Sequence, residues 1–486
     1  MAAQNHHSNP NTHQHAILVP YPLQGHVIPF ANLALKLASK GFTITFVNTQ
    51  SVHQKISKAQ NSPDSPSQLD MFSEARESGF DIRYVTVSDG FPLGFDRMAN
   101  EDQFWEGILH VFPAHVDELV GDLMKSSHPP VTCLIPDTFY NWGSTISNKY
   151  GLVHGTFWTE PVMVFTLYYH WDLLRKNGHF GSLENRKDVI TYIPGILEIK
   201  PTDLMSFLQD TADISTVVHR IIDKAFKDVK KADFILSNTV QEFENDTTSA
   251  LQSKQAFYSI GPLLLIPLQG LTNSGVKTSL LSESDCNRWL NTKLNGSVLY
   301  VSFGSYAHVS KEVLIEIAEG LVLSKVSFLW AVRADIVGSG VTDFLPAGFE
   351  ENVKDQGLIV PWCGQVEVLS HPAVGGFLTH CGWNSILESI RCSVPLLCYP
   401  LLTDQFTNRK LVVDEWRIGL DLWSEKPITR EQVSTRIKIL MGEKMGDELR
   451  SQIKKHKDVM EKAISVDGSS SLNMNRFINH ICHIKK

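Results

Sequence analysis

Between Trp362 and Gln405 the chain reads WCGQVEVLSHPAVGGFLTHCGWNSILESIRCSVPLLCYPLLTDQ, and the fold is decided within these 44 residues. Val374–Thr379 (VGGFLT) is a short apolar run and predicts a buried strand. Thr379-His380-Cys381-Gly382-Trp383-Asn384-Ser385 follows as a tight turn with a glycine, and Ile386–Arg391 continues as a helix. A second apolar run over 394–399 predicts the next strand. Strand, turn, helix and strand make a βαβ unit, the building block of a parallel sheet covered on both faces. Glycine in such a turn lets the backbone approach a ligand closely. The helix start then offers unpaired N–H groups at its positive end. Asn384 and Ser385 add side-chain donors. Taken alone, the turn also reads as an ordinary helix N-cap.

The same rhythm extends outward in both directions. Ser297–Phe303 (SVLYVSF), Ser327–Val332 (SFLWAV) and 357–361 predict strands, and Lys311–Leu323 predicts a helix. Nearer the N-terminus, strands are predicted over His15–Pro20 (HAILVP), Phe42–Val47, Phe80–Val87, Val131–Ile135 and Leu152–Phe157. Val27–Lys40 carries apolar residues at 30, 33, 34, 37 and 38, a helical stripe that Gly41 ends. Residues 60–68 read as a loop. From about 255 to 295 the alternation breaks at Gly261-Pro262, Pro267, Gly270 and the polar stretch 272–279. The predicted fold class is therefore α/β, with two doubly wound, Rossmann-like parallel-sheet domains facing a cleft. The expected divisions are a disordered tail (1–14), a first domain (15–255), an interdomain linker with the start of the second domain (256–295), a second domain (296–465) and a terminal helix (466–486).

The 486 residues are ample for two cores, and a hydrophobic content of 43% excludes a disordered or fibrous chain. The net charge of −8 argues against a nucleic-acid or anionic-membrane partner held by bulk electrostatics. No apolar run reaches the roughly 20 residues of a membrane span, and no signal peptide is visible. Seven cysteines without a CxxC pair read as reduced thiols of a cytoplasmic protein. The His-rich tail (His6, His7, His13, His15) reads as a solvated end before it reads as a weak metal site. There is no GxxxxGK[ST] for a P-loop nucleotidase and no GxGxxG after the first strand for a nicotinamide dehydrogenase. No Asp-x-Asp signals a carboxylate pair holding Mg²⁺ against a nucleotide.

The 44-residue stretch resembles the sugar-nucleotide signature box of the plant UDP-dependent glycosyltransferases, family 1, which have the GT-B fold. Its length, its opening Trp362, HCGWNS with Glu388 three residues on, and its closing Asp404-Gln405 carry the likeness. PYPLQGHVIPF near the start carries it too. The resemblance implies that Trp362 stacks on uracil and that the backbone at Cys363 bonds the base. It implies ribose contacts from Gln365 and Glu388, diphosphate contacts from His380, Asn384 and Ser385, and a hydroxyl near the α-phosphate from Ser305. Trp383, Asp404 and Gln405 match sugar contacts, and Trp158-Thr159 resembles a sugar-contacting pair from the first domain. For Trp158 and Thr159 a place in the core is about equally expected. Gln405, able to donate and accept, is expected to favour glucose, and Gln405→His to weaken glucose transfer more than galactose transfer.

His26 follows the glycine of the first strand-to-helix loop, and Asp137 follows the strand CLIP. The pair fits the family's catalytic dyad, a neutral imidazole that takes the acceptor proton and a carboxylate that fixes its tautomer. The acceptor is expected against loops 88–105 and 139–210, among aromatic residues including Phe91, Phe139, Tyr140 and Phe207, which suit a lipophilic metabolite. The box departs from the common pattern at Pro361 and Gly364, with a small effect expected on donor affinity. Tyr306 and His308 sit in a less usual segment and read by default as surface, or else as shaping the cleft.

The resemblance implies inverting transfer of glucose from UDP-glucose to a hydroxyl of a flavonoid, other phenolic or terpenoid. It implies no cofactor, no metal, a monomer, and a UDP-sugar and a small molecule as the only partners. The alternative is a non-catalytic nucleotide-sugar or metabolite binder on the same scaffold. Intact His26 and Asp137 argue against it. A glycosidase would need a carboxylate pair across a sugar site, which the donor box makes needless.

Overall fold

The computed structural model describes residues 14–60, 70–180, 186–209, 215–264, 279–338, 345, 346, 348–424, 427–442 and 444–484. The expected tail at 1–13, the loop at 61–68 and the polar stretch at 272–278 lie outside the described residues.

Seven strands form the first sheet: β1 (His15–Val19), β2 (Thr43–Thr49), β3 (Ile82–Val87), β4 (Cys133–Pro136), β5 (Val153–Trp158), β6 (Phe234–Ser237) and β7 (Phe257–Ser259). Their spatial order is β3-β2-β1-β4-β5-β6-β7, and every pairing is parallel. Six more form the second: β8 (Val298–Ser302), β9 (Ser327–Ala331), β10 (Gly357–Val360), β11 (Val374–Thr379), β12 (Leu396–Cys398) and β13 (Gly419–Asp421). That order is β10-β9-β8-β11-β12-β13, again all parallel. The central strands β1 and β8 are buried along their whole length, as their continuous apolar runs require when helices cover both faces.

Both orders reverse direction at one place, between β1 and β4 in the first sheet and between β8 and β11 in the second. Such switch points open a crevice beyond the carboxyl ends of the strands, where doubly wound sheets bind ligands. The loop after β1 leads into helix Gln24–Ala38, whose opening turn carries His26; Asp137 directly follows β4. The loop after β8 carries Ser305, and His380 directly follows β11.

The two units are tied by hydrogen bonds that cross the cleft. Asn384 Nδ2 donates to Gly25 O at 2.9 Å, and Trp383 Nε1 donates to Asn238 O at 2.8 Å. Tyr306 Oη donates to Glu101 Oε1 at 2.7 Å. Buried Arg409 pairs with buried Asp203 across the same boundary. The last helix, Ser469–His483, returns to the first sheet. Met474, Phe477 and Ile481 are buried in the core that holds Ala16, Leu18 and Phe234, and the Phe477 and Phe234 rings lie 4.8 Å apart.

Most expected elements occur within two or three residues of their sequence bounds. Strands β6, β7 and β13 were not expected. They have four, three and three residues. His15 is not part of a solvated end: it opens β1, buried, with Nδ1 2.9 Å from Pro129 O and Nε2 2.8 Å from Thr45 Oγ1.

Candidate active site

The cleft between the two sheets is a single cavity of about 1160 Å³. His26 lies on its first wall, in the opening turn of helix Gln24–Ala38. Its Nδ1 is 2.7 Å from Asp137 Oδ2 and 3.1 Å from Thr159 Oγ1. A carboxylate can only accept, so Nδ1 carries the hydrogen and Nε2 is left with its lone pair. Asp137 is held from behind. Its N–H donates to Val19 O at 2.9 Å, and its Oδ1 accepts from Phe139 N at 3.0 Å. With Asp137 almost fully buried, the imidazole is fixed in tautomer and direction.

On the opposite wall, Trp362 and Cys363 follow β10, and Gln365 opens the next helix. Gln365 Nε2 donates to Ser385 Oγ at 2.8 Å and to Glu388 Oε2 at 2.7 Å, and its Oε1 accepts from Tyr300 at 3.3 Å. Gln365, Ser385 and Glu388 thus form one preset polar surface. Burial pushes the Glu388 carboxyl up to about 7, partly offset by the Gln365 bond. The thiol of buried Cys363 lies 3.6 Å from the Tyr300 hydroxyl.

His380 sits where the two turns of the second sheet meet. A Cβ on Gly304 would lie 2.5 Å from its Nε2, and one on Gly382 would lie 2.6 Å from it, so a side chain at either position would press on the ring. Gly304 also has φ +72°, a conformation open to glycine at little cost. Burial, reinforced by the Arg333 cation, lowers the His380 pKa to about 4. The ring is therefore neutral near pH 7 and offers an N–H rather than a charge. Arg333 fixes the adjacent loop, donating to the carbonyl oxygens of Gly304 and of Ala307, the latter at 2.8 Å. Trp383, Asn384 and Ser385 begin helix Trp383–Cys392, whose N-terminus faces the cavity beside Ser305.

Asp404 and Gln405 line the cavity next to Leu402 and Thr403. Asp404 accepts from Thr403 Oγ1 at 2.8 Å and from Asn408 Nδ2 at 2.6 Å. Burial raises its pKa, although these bonds and nearby His26 oppose the rise. Gln405 Oε1 already accepts from the backbone N–H groups of Leu401 (2.9 Å) and Leu402 (3.0 Å). Only its amide N–H₂ remains for a ligand, so the expected double role, donor and acceptor, is corrected to donor alone.

Three expected contacts do not reach the cavity. Trp158 is buried in the core against Phe139 and Phe165, and its Nε1 donates to Pro161 O at 2.8 Å; Thr159 faces the cleft in its place. Tyr140 is buried against Phe112 and Trp142 and donates to Pro20 O at 3.0 Å. Phe91 stacks on Phe95 at 4.4 Å, outside the cavity lining. Their aromatic character served packing, which the sequence could not separate from ligand contact. Phe139 and Phe207 do line the cavity, with Tyr21, Trp105 and Tyr168. Tyr306 also lines it, so its reading as surface is corrected. Sequence reading missed Arg333 and Glu160. A lone acid within the apolar run FWTEPVMVF was the signal for Glu160.

Residues 192–461 match the family described as UDP-glucoronosyl and UDP-glucosyl transferase. UDP-glycosyltransferase 86A1 of Arabidopsis thaliana is 60% identical over 471 residues, covering 96% of this chain and 94% of its own. UDP-glycosyltransferase 86A2 of the same plant is 54% identical over 483 residues, covering 98% and 96%. Among solved structures, a UDP-glucosyltransferase from Polygonum tinctorium superimposes with a TM-score of 0.77 at 26% identity, covering 98% of this chain and all of that one.

Proposed function

Because the chain belongs to the plant UDP-glycosyltransferases, GT-B enzymes that move a glycosyl group from a UDP-sugar, we propose that it transfers glucose from UDP-glucose, with inversion, to a hydroxyl of a small lipophilic plant metabolite, giving a β-O-glucoside and UDP. One observation carries this reading: the His26–Asp137 pair, 2.7 Å apart, faces the Gln365–Ser385–Glu388 surface across one cavity.

The acceptor hydroxyl lies against His26 Nε2, which takes its proton as the oxygen attacks the anomeric carbon. Asp137 then offsets the charge of the imidazolium. The UDP leaving group sits on the opposite wall, so attack and departure occur on opposite faces of the sugar, and inversion follows. Trp362 stacks on uracil, the Cys363 backbone bonds it, and Gln365 and Glu388 hold the ribose. The N–H groups at Asn384 and Ser385, the Ser305 hydroxyl and the neutral His380 ring stabilise the diphosphate without a metal. The amide of Gln405, with Asp404, Thr159 and the Trp383 backbone, positions the glucose. Phe139 and Phe207 form apolar walls for the acceptor. No helix among the described residues is long and apolar enough to cross a membrane; we place the enzyme in the cytoplasm as a monomer, on the reduced-thiol composition and the absence of any other implied partner.

Incubation with UDP-glucose and a panel of phenolic, flavonoid and terpenoid alcohols, followed by mass detection and proton NMR of the product, tests the reading. A mass gain of one hexose with a β-anomeric coupling is expected. A product of α configuration, or UDP-glucose binding without turnover on any acceptor, would contradict it.

A further inference from the structure

We propose that Glu160 is a specificity-determining residue of this cleft, its carboxyl donating a hydrogen bond to an oxygen of the bound substrates. The inference rests on the transfer reading above and adds a residue that reading does not use. Glu160 directly follows Thr159 beyond the carboxyl end of β5, and it lines the cavity. Its Oε2 is buried and finds no hydrogen-bond partner among the described residues. A buried carboxyl oxygen left unmatched loses the hydrogen bonds that water would give it. That loss makes sense where a ligand supplies the missing partner.

The neighbours determine which form of the carboxyl is present. The titratable groups around it are Asp404 from the loop after β12, Asp137 after β4, Tyr168 on helix Val162–Tyr169, and His26 through its contacts with Asp137 and Thr159. Two of these are carboxyls, and none is a lysine or arginine. Burial first, then the charges of Asp404 and Asp137, push the Glu160 carboxyl well above the usual carboxylate range. The acid form therefore faces the cleft over a range where carboxylates are normally charged, and an acid has an O–H to give. Asp404 on one side and the His26 dyad on the other place Glu160 at the junction of sugar and acceptor. The oxygen it meets is either a sugar hydroxyl or a hydroxyl, carbonyl or ether oxygen of the acceptor close to the reacting group.

The test compares wild type, Glu160→Gln and Glu160→Ala, with folding checked by thermal melting. For each, kcat and both KM values are measured from pH 6 to 10 with UDP-glucose and an acceptor that the wild type uses. Glutamine keeps a donor in the same place at every pH. Glu160→Gln is expected to stay within about threefold of wild type at pH 7, and to hold its kcat/KM toward alkaline pH at least as well as the wild type, since its donor does not ionise. Glu160→Ala should lose about tenfold in kcat/KM, the range of one net hydrogen bond. A rise in KM for UDP-glucose alone assigns the oxygen to the sugar; a rise for the acceptor alone assigns it to the acceptor. Unchanged KM values and pH profile in Glu160→Ala, or a loss in Glu160→Gln as deep as in Glu160→Ala, overturns the proposal while the transfer reading stands. A wild type that turns over no acceptor overturns both.

Discussion

Gln405 shows how a single side chain can have a narrower role than its residue type suggests. Its carbonyl oxygen is committed to Leu401 and Leu402, so it has only a donor left to offer. Gln405→Glu should preserve both backbone bonds and remove that donor. We expect KM for UDP-glucose to rise about tenfold with the melting temperature unchanged, the size of one lost hydrogen bond with added repulsion. An unchanged KM would remove Gln405 from sugar binding. Glu388 gives a pH test. Burial pushes its carboxyl up to about 7, and in the proposed ribose contact the hydroxyls are best met by the carboxylate. A ligand that prefers the ionised form binds more tightly as pH rises through that value. UDP-glucose, whose diphosphate is already fully ionised, should therefore bind severalfold more tightly at pH 8 than at pH 6. Titration calorimetry should find this slope abolished in Glu388→Gln; a slope that survives the substitution would assign it to another group.

At the scale of elements, the strand-to-helix turns carry most of the residues to which chemistry is proposed. The turns after β8 and β11 meet around His380, and Gly304 and Gly382 leave the room it needs. Gly304→Ala adds a side chain at φ +72°, 2.5 Å from the imidazole. We expect about 1–2 kcal/mol of lost stability from the backbone alone, and a KM for UDP-glucose raised more than KM for the acceptor. Equal effects on both would mean that the loop does not act on the diphosphate. If backbone amides and a neutral ring carry the leaving group, activity should also survive EDTA; a loss restored by Mg²⁺ or Mn²⁺ would contradict that. These turns were legible in the sequence because their glycines, polar residues and flanking apolar strands fall within one frame. The acceptor wall was not. Phe139 and Tyr140 are neighbours of the same chemical type, yet one faces the cavity and the other the core. Only the backbone path after β4 separates them. The three-residue strands β7 and β13 were hidden for a related reason, since their place is set by neighbours in the sheet.

Across the whole molecule, labour is divided between two sheets of the same plan. The proposed base His26 and its partner Asp137 lie at the switch point of the first, and the proposed nucleotide surface of Gln365, Ser385 and Glu388 at the switch point of the second. The bonds from Asn384 to Gly25, Trp383 to Asn238 and Tyr306 to Glu101 hold the two faces together. This division makes the two functions separable, and the most direct measurement exploits that. UDP-glucose binding by calorimetry and UDP release with an aliphatic alcohol acceptor are compared in wild type, His26→Ala, Asp137→Asn and the double variant. His26→Ala should bind UDP-glucose as the wild type does and release UDP about 10²–10⁴-fold more slowly, the range of a positioned general base. The double variant should lose little more than His26→Ala, because Asp137 acts through His26. Retention of most activity by His26→Ala, or a double-variant loss equal to the product of the two single losses, would contradict the account.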